Sequence, residues 1–446
     1  MEFKYKTGGK FNTYIPLHGH TSYSLGDGTT RIHDLISKVK EIGANAAGLT
    51  EHGNMMSFFK FYKEAKENGV TPILGCELYV NDLYYEDNAR FLELKKKSRD
   101  ETDSSEDEYG SEDSSNDHFL VYAKNIEGLN NLLHLSNEGF FNFYRKPLLN
   151  YKRILESLDH NNIVTTGCIQ SKFNKLILTN QTDEAKKMLK SLKDKLGDDF
   201  YLEIQLNKLE QQDKVNQFYE KMSEELSIKP VFALDYHYTN KDDWYIQYLL
   251  YVIKQRQTVS QMPEDKWFYV VRDLYIKNID EVYKIAESKN MNMDFFESAI
   301  DSTFEIRDKV NIEIQTYKNN FPKFVESEEE SRTLFLEKLE RKFKEKVLNG
   351  VIPRDKIKEY SERIEFEVGV IIKMGYTNYF LILDDLLNNF VYKNGGATGM
   401  GRGSAVSSLV LFVLDITKID PVRHNLIFER FLNLARKDPA DCDVDL

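Results

Sequence analysis

Between Tyr14 and Tyr238, short apolar runs rich in β-branched residues alternate with longer polar stretches of helical character. That rhythm restricts the fold to βα units wrapped around a parallel sheet or barrel. The runs fall at residues 14–17, 46–49, 71–74, 119–123, 163–165, 200–204 and 231–234, and seven strands come close to a full barrel. One segment breaks the series. Residues 100–117 hold nine acids and no base; with nothing apolar to bury, they are expected to form a solvated, disordered insertion.

Beyond about Asp273 the texture changes to long helical segments, expected at residues 280–288, 328–348 and 356–374, the last two dense in Lys and Glu. A domain boundary near residue 275 follows, giving one domain over 1–275 and a second over 276–446. The final stretch, 395–446, reads as a glycine-rich turn, an apolar helix and a short acidic strand. There is no internal repeat.

No apolar run reaches the length of a membrane span, and the first residues lack the apolar core of a signal peptide. A cytoplasmic protein without a membrane partner is expected. The three cysteines, Cys76, Cys168 and Cys442, are far apart and form no Cys-x-x-Cys pair, so neither a disulfide framework nor a zinc finger is indicated. A formal charge of −12 argues at first against nucleic acid, but the acidic insertion accounts for nine of those charges. Net charge therefore leaves DNA open as a partner.

The chemically informative residues sit at or just past the ends of the expected strands. His18 and His20 follow the first; two residues apart on an extended chain, they point to the same side and can reach one ion. Glu51 and His52 close the second strand, Glu77 the third, Cys168 the fifth, and Asp235 and His237 the seventh. In a parallel barrel these ends converge on one face. His118 is the exception, because it precedes its strand. Five of the nine histidines thus stand beside strands in the company of carboxylates and a thiol. Such a mixed donor set suits zinc or manganese and has room for more than one ion; clustered divalent ions suit phosphoester hydrolysis.

These residues resemble the polymerase and histidinol phosphatase (PHP) domain. His18-Gly19-His20 with the stretch through Gly28, Leu49 to Met55, Pro72 to Glu77, His118 to Asn125, Thr166-Gly167-Cys168 and Ala233 to Tyr238 are similar to its successive motifs. The resemblance implies a distorted (β/α)7 barrel with nine metal ligands: His18, His20, Asp27, His52, Glu77, His118, Cys168, Asp235 and His237. All nine are present, and complete sets in this family accompany metal-dependent 3′–5′ exonuclease activity. Glu51 departs from the family's usual Asp.

A second constellation lies near the end. Thr398 to Leu409 places glycines and small hydroxyl residues before an apolar helix, an arrangement in which backbone N–H groups can approach phosphate. Arg402 could add a charge-assisted contact. Farther on, Asp441, Asp443 and Asp445 alternate with apolar residues, so a strand would put all three on one face. Carboxylates packed that closely call for cations, and two Mg²⁺ ions serving nucleotidyl transfer are the usual solution.

Together with Lys373 to Ile382, Asp420-Pro421 and Phe428 to Asn433, these segments resemble the palm of the bacterial DNA polymerase III alpha family, similar to the polymerase-beta type of nucleotidyltransferase. The resemblance implies that Asp443 and Asp445 carry catalytic metals, and that Arg402, Gly403 and Ser404 lie near the triphosphate. Met400, Val406-Ser407 and Ala440 depart from the family pattern. A third catalytic aspartate, thumb and fingers are not in the sequence, so the chain is expected to be the front piece of a polymerase. Its implied partners are primer-template DNA, deoxynucleoside triphosphates, a C-terminal polymerase fragment and, through that fragment, a sliding clamp. A phosphoesterase acting alone on a small phosphorylated substrate, and a barrel serving only as scaffold, are the alternatives.

Overall fold

All seven apolar runs become barrel walls. The computed structural model describes residues 9–101, 116–262, 272–316, 322–435 and 440–446. Its sheet contains β1 (Ala46–His52), β2 (Thr71–Val80), β3 (Asp117–Ala123), β4 (Phe143–Tyr144), β5 (Lys146–Leu149), β6 (Asn162–Thr165), β7 (Phe200–Gln205) and β8 (Pro230–Ala233). β1 and β2 run parallel in the register Ala46↔Thr71 to His52↔Glu77. β6, β7 and β8 are likewise parallel to one another.

The first run, residues 14–17, with the His18–His20 segment that follows it, closes the barrel without forming a regular ladder. Gly48 N donates to Pro16 O at 2.7 Å and Thr50 N to Gly19 O at 3.0 Å; on the other edge His20 N donates to Tyr236 O at 2.8 Å. Two glycines permit this crowding. A Cβ on Gly48 would stand 1.9 Å from Leu17 O, and one on Gly19 would stand 1.9 Å from the Tyr236 ring.

β3 departs from the all-parallel expectation: it is antiparallel to both β2 and β6. Direction is not encoded in an apolar run, since every β3 residue from Phe119 to Ala123 is buried whichever way the strand points. The reversal explains His118. A strand that runs backwards begins where its neighbours end, so a histidine at its start joins residues at their ends.

Helices Ile279–Ser288 and Met293–Lys309 pack on this barrel. Phe296 and Tyr14 each meet Phe232 edge-to-face, at 5.9 and 5.2 Å, and Ile15 N donates to Thr303 Oγ1 at 3.1 Å. The first compact unit therefore runs Met1–Ile314 and the second Gln315–Leu446, in place of a division near residue 275. Most of the acidic insertion lies outside the described residues; its flanks belong to helix Asn88–Glu101 and to β3.

The second unit gathers Glu328–Leu348, Ile357–Lys373, Thr377–Asp384 and the short helix Leu409–Val413 around Phe335, Ile371, Phe380, Leu411 and Phe428. Among the described residues no single helix is long and apolar enough to cross a membrane; a pair bent by 112°, Arg354–Lys373 with Thr377–Asn394, passes on length and composition alone.

Candidate metal centre

Glu77, buried near the end of β2, is the hub of the barrel mouth. Its carboxylate lies 2.7 Å from His52 Nδ1, 3.0 Å from His118 Nδ1, 3.2 Å from Cys168 Sγ, 3.4 Å from His18 Nε2 and 3.5 Å from His20 Nε2. Asp235 Oδ1 reaches His20 Nε2 at 3.2 Å and His18 Nε2 at 3.4 Å. Asp27 Oδ2 reaches His52 Nε2 at 3.2 Å and His237 Nε2 at 3.7 Å. All nine expected ligands thus meet at one place, drawn from six strands or strand ends and the loop that carries Asp27.

The spacing fits shared cations. Nitrogen and oxygen donors bound at about 2.0–2.1 Å around a tetrahedral ion sit roughly 3.3 Å apart, and most of these pairs lie between 3.2 and 3.5 Å. Three overlapping triads, His20/His52/His237, His18/His20/Glu77 and His52/Glu77/His118, have donor atoms within 4.8 Å of one another. His18 Nε2, His20 Nε2, His52 Nδ1, Glu77 Oε2 and Asp235 Oδ1 are buried and crowd one another without a well-directed hydrogen bond among the described residues. Leaving five such atoms in a core would be costly unless an ion takes them.

Second partners set the ring orientations. His18 Nδ1 lies 2.7 Å from Glu203 Oε1, and Glu203 also accepts from Thr165 Oγ1 at 2.6 Å and Gln205 Nε2 at 2.8 Å. With Nδ1 donating, His18 keeps Nε2 as its ligand atom. His237 Nδ1 donates to Asp235 O at 2.9 Å, fixing the same tautomer. Asp235 adopts a left-handed φ of 54° to allow this, a conformation that costs a non-glycine residue roughly 1 kcal/mol or more. Glu51 accommodates its extra methylene as a loop anchor: it accepts from Thr21 N at 3.0 Å, Ser24 Oγ at 2.6 Å and Ser57 Oγ at 3.0 Å. Ser24 in turn sits 3.2 Å from His20 Nδ1. Gln247, on helix Trp244–Lys254, donates to Asp27 Oδ1 at 3.0 Å, leaving Oδ2 towards His52 and His237.

Ionisation follows this packing. Burial disfavours charge on His18 and His52, yet Glu203 and Asp235 raise the first, and Tyr79, Glu77 and Asp27 the second, well above the ordinary imidazole value. Burial and the neighbouring His52 and His237 push His20 down to about 3, so it stays neutral. Against the desolvation that would raise them, the facing histidines hold Glu77 and Asp27 well below the usual carboxylate range. Burial, Glu77 and Asp235 raise the Cys168 thiol. Protons here perform the neutralisation that divalent ions would perform in their place.

Glu203 and Gln247 were not among the candidate residues from sequence. Each had a faint signal. Glu203 is the lone carboxylate in the buried strand Phe200–Gln205, and Gln247 the lone amide in the apolar run Trp244–Lys254.

In the second unit, Gly401 and Gly403 take left-handed φ values of 96° and 66°, and a Cβ on Gly403 would stand 2.9 Å from Asp443 Oδ2. Arg402 Nη1 lies 3.1 Å from Asp443 Oδ2 and its Nε 3.2 Å from Asp445 Oδ1. The turn and the two aspartates are therefore adjacent, with Ser404 directly preceding the next turn, Ala405–Ser407. Two expectations change. Residues 441–445 are extended but pair with no strand among the described residues; they are tied instead by Gly399 N to Asp445 O and Cys442 N to Tyr379 Oη. The apolar helix does not offer its first N–H groups to a ligand: Glu367, fully buried, accepts from Leu409 N at 2.9 Å, Val410 N at 3.0 Å and Ser408 Oγ at 2.9 Å.

Residues 16–207 match the PHP domain family, and residues 332–446 match the bacterial DNA polymerase III alpha NTPase domain. DNA polymerase III alpha subunits of Aquifex aeolicus, Helicobacter pylori and Borreliella burgdorferi are 33%, 32% and 34% identical, each over 97% of this chain. The chain carries a PHP domain and is a relative of the DNA polymerase III alpha subunit. It spans 36%, 35% and 35% of the length of those relatives. The PHP match contains the candidate ligands from His18 to Cys168, and the structure brings Asp235 and His237 beside them from outside it. The DNA polymerase III alpha match contains both the Gly401–Gly403 turn and Asp443 and Asp445.

Proposed function

We propose that the chain is part of a cytoplasmic, replicative DNA-directed DNA polymerase, with a PHP barrel that acts as a metal-dependent 3′–5′ exonuclease. The convergence of nine donors at one place, with Glu77 and Asp235 among them, carries the nuclease reading. Zinc or manganese fits the mixed imidazole, carboxylate and thiol set. Ions held there would lower the pKa of a water and polarise a phosphodiester. The chain's own residues supply the rest: Glu203 and the Asp235 carbonyl aim His18 and His237, Gln247 aims Asp27, and Glu51 holds the loop through Thr21 and Ser24.

The second unit contributes Asp443 and Asp445 to nucleotidyl transfer with Mg²⁺. Their current partner is Arg402, which stands where it can exchange the carboxylates for a triphosphate. Synthesis requires the further polypeptide that the relatives' greater length represents, and with it primer-template DNA, deoxynucleoside triphosphates and a sliding clamp.

The test is release of nucleotides from the 3′ end of single-stranded DNA by the purified chain with Mn²⁺ or Zn²⁺. Wild type should digest; His20→Ala should not, and Asp443→Asn should digest like wild type. Digestion by His20→Ala at the wild-type rate would refute the assignment.

A further inference from the structure

The end of helix Ile126–Phe141 and the β4–β5 hairpin that follows it carry an aromatic and basic surface that nothing in the barrel core explains. Phe141 is 90% exposed, the most exposed large apolar side chain among the described residues; Phe143 is 54% and Phe140 40% exposed. Phe140 and Phe143 lie parallel, 6° between planes and 6.1 Å between centroids. At the tip, Arg145 takes a left-handed φ of 60° and lies 5.9 Å from the Tyr144 ring.

This surface is continuous with the metal centre. β5 pairs with the end of β2 through Tyr79↔Leu148. Lys146 Nζ donates to Tyr79 Oη at 2.9 Å and lies 4.7 Å from that ring's centroid. The same Tyr79 ring meets two candidate ligands, His118 at 5.1 Å and His52 at 6.0 Å between centroids. Only one ring separates Lys146 from the ligands. Gly53, directly after His52, packs so tightly that a Cβ there would stand 2.6 Å from Pro147.

Exposed rings interleaved with cations are what single-stranded nucleic acid requires, since every base has a face to stack and every linkage a phosphate to pair. A buried protein interface would disfavour Lys146 at its centre, and duplex DNA offers no unstacked base to Phe141. We infer that Phe141, Phe143, Arg145 and Lys146 form a platform that holds the single-stranded DNA whose 3′-terminal linkage enters the metal centre. Bases stack on the two phenylalanines, Arg145 pairs a phosphate, and Lys146 meets the linkage nearest Tyr79. The inference deepens the nuclease reading and rests on it for the identity of the strand.

The test measures binding apart from cleavage. Fluorescence anisotropy of a short labelled oligothymidylate with the full chain in EDTA reads the platform alone. Phe141→Ala with Phe143→Ala should weaken binding at least tenfold, Phe141→Leu with Phe143→Leu similarly, and Phe141→Trp with Phe143→Trp should restore it. Arg145→Gln should flatten the dependence of affinity on salt. Near-ultraviolet circular dichroism and metal content reveal any variant that misfolds. Equal binding by wild type and the folded alanine pair, or no binding by wild type, overturns the platform. Binding lost in the alanine pair while wild type digests nothing would leave the platform standing and refute the nuclease reading instead.

Discussion

His18 Nδ1 and Glu203 Oε1 lie 2.7 Å apart in the centre of the barrel, both fully buried, so a carboxylate that touches no ion determines which nitrogen of His18 can. Outer partners of this kind typically contribute 10–100-fold to metal affinity. Glu203→Gln keeps the shape and removes the charge. We expect Mn²⁺ affinity, measured by isothermal titration, to fall by about 10–100-fold while the folded circular dichroism spectrum persists; unchanged affinity would mean that Glu203 is only a core acceptor.

Glu367 predicts a stability effect in the second unit. It accepts from Leu409 N, Val410 N, Ser408 Oγ and Arg363 Nε, the last at 2.7 Å. Glu367→Ala strands two helix N–H groups and a guanidinium together, which should cost on the order of 3 kcal/mol. Urea titration followed by a probe in this unit would show the midpoint falling, with metal binding in the barrel unchanged.

Much of this was readable from the sequence because barrel strands buried on both faces leave unbroken apolar runs. The positions of residues 46–49 and 200–204, and the placement of His18, His52 and Glu77 at strand ends, follow from that. Strand direction does not, so His118 looked misplaced until β3 proved antiparallel. Asp27 lies in a loop with no periodicity and was identified only by resemblance. The boundary near residue 275 failed because an amphipathic helix such as Ile279–Ser288 shows that it needs a core, not which core. The alternation of Asp441, Asp443 and Asp445 was legible, whereas a strand also needs a neighbour to pair with.

Lys277 predicts a pH dependence away from either site. Burial lowers its ammonium to about 8, although Asp273 and Glu281 oppose the shift; its Nζ donates to Asp273 O. Between pH 8 and the unfolded value of 10.5 the unfolded chain binds more protons at this group than the folded one, so its contribution to stability rises with pH across that window. The part regained there is lost again as pH falls towards 8. Lys277→Met should abolish this rise, leaving the variant more stable than wild type at pH 7 and the two converging near pH 11 in thermal melts; parallel curves would contradict a depressed value.

Everything proposed for the barrel depends on Glu77, Asp235 and their histidines sharing cations. Crystals of the chain grown with Mn²⁺ and measured at the manganese absorption edge test it directly. We predict anomalous peaks, more than one, within bonding distance of His18 Nε2, His20 Nε2, His52 and the Glu77 and Asp235 carboxylates. A barrel mouth without an anomalous peak, its donors paired only with one another at the distances described, would contradict it.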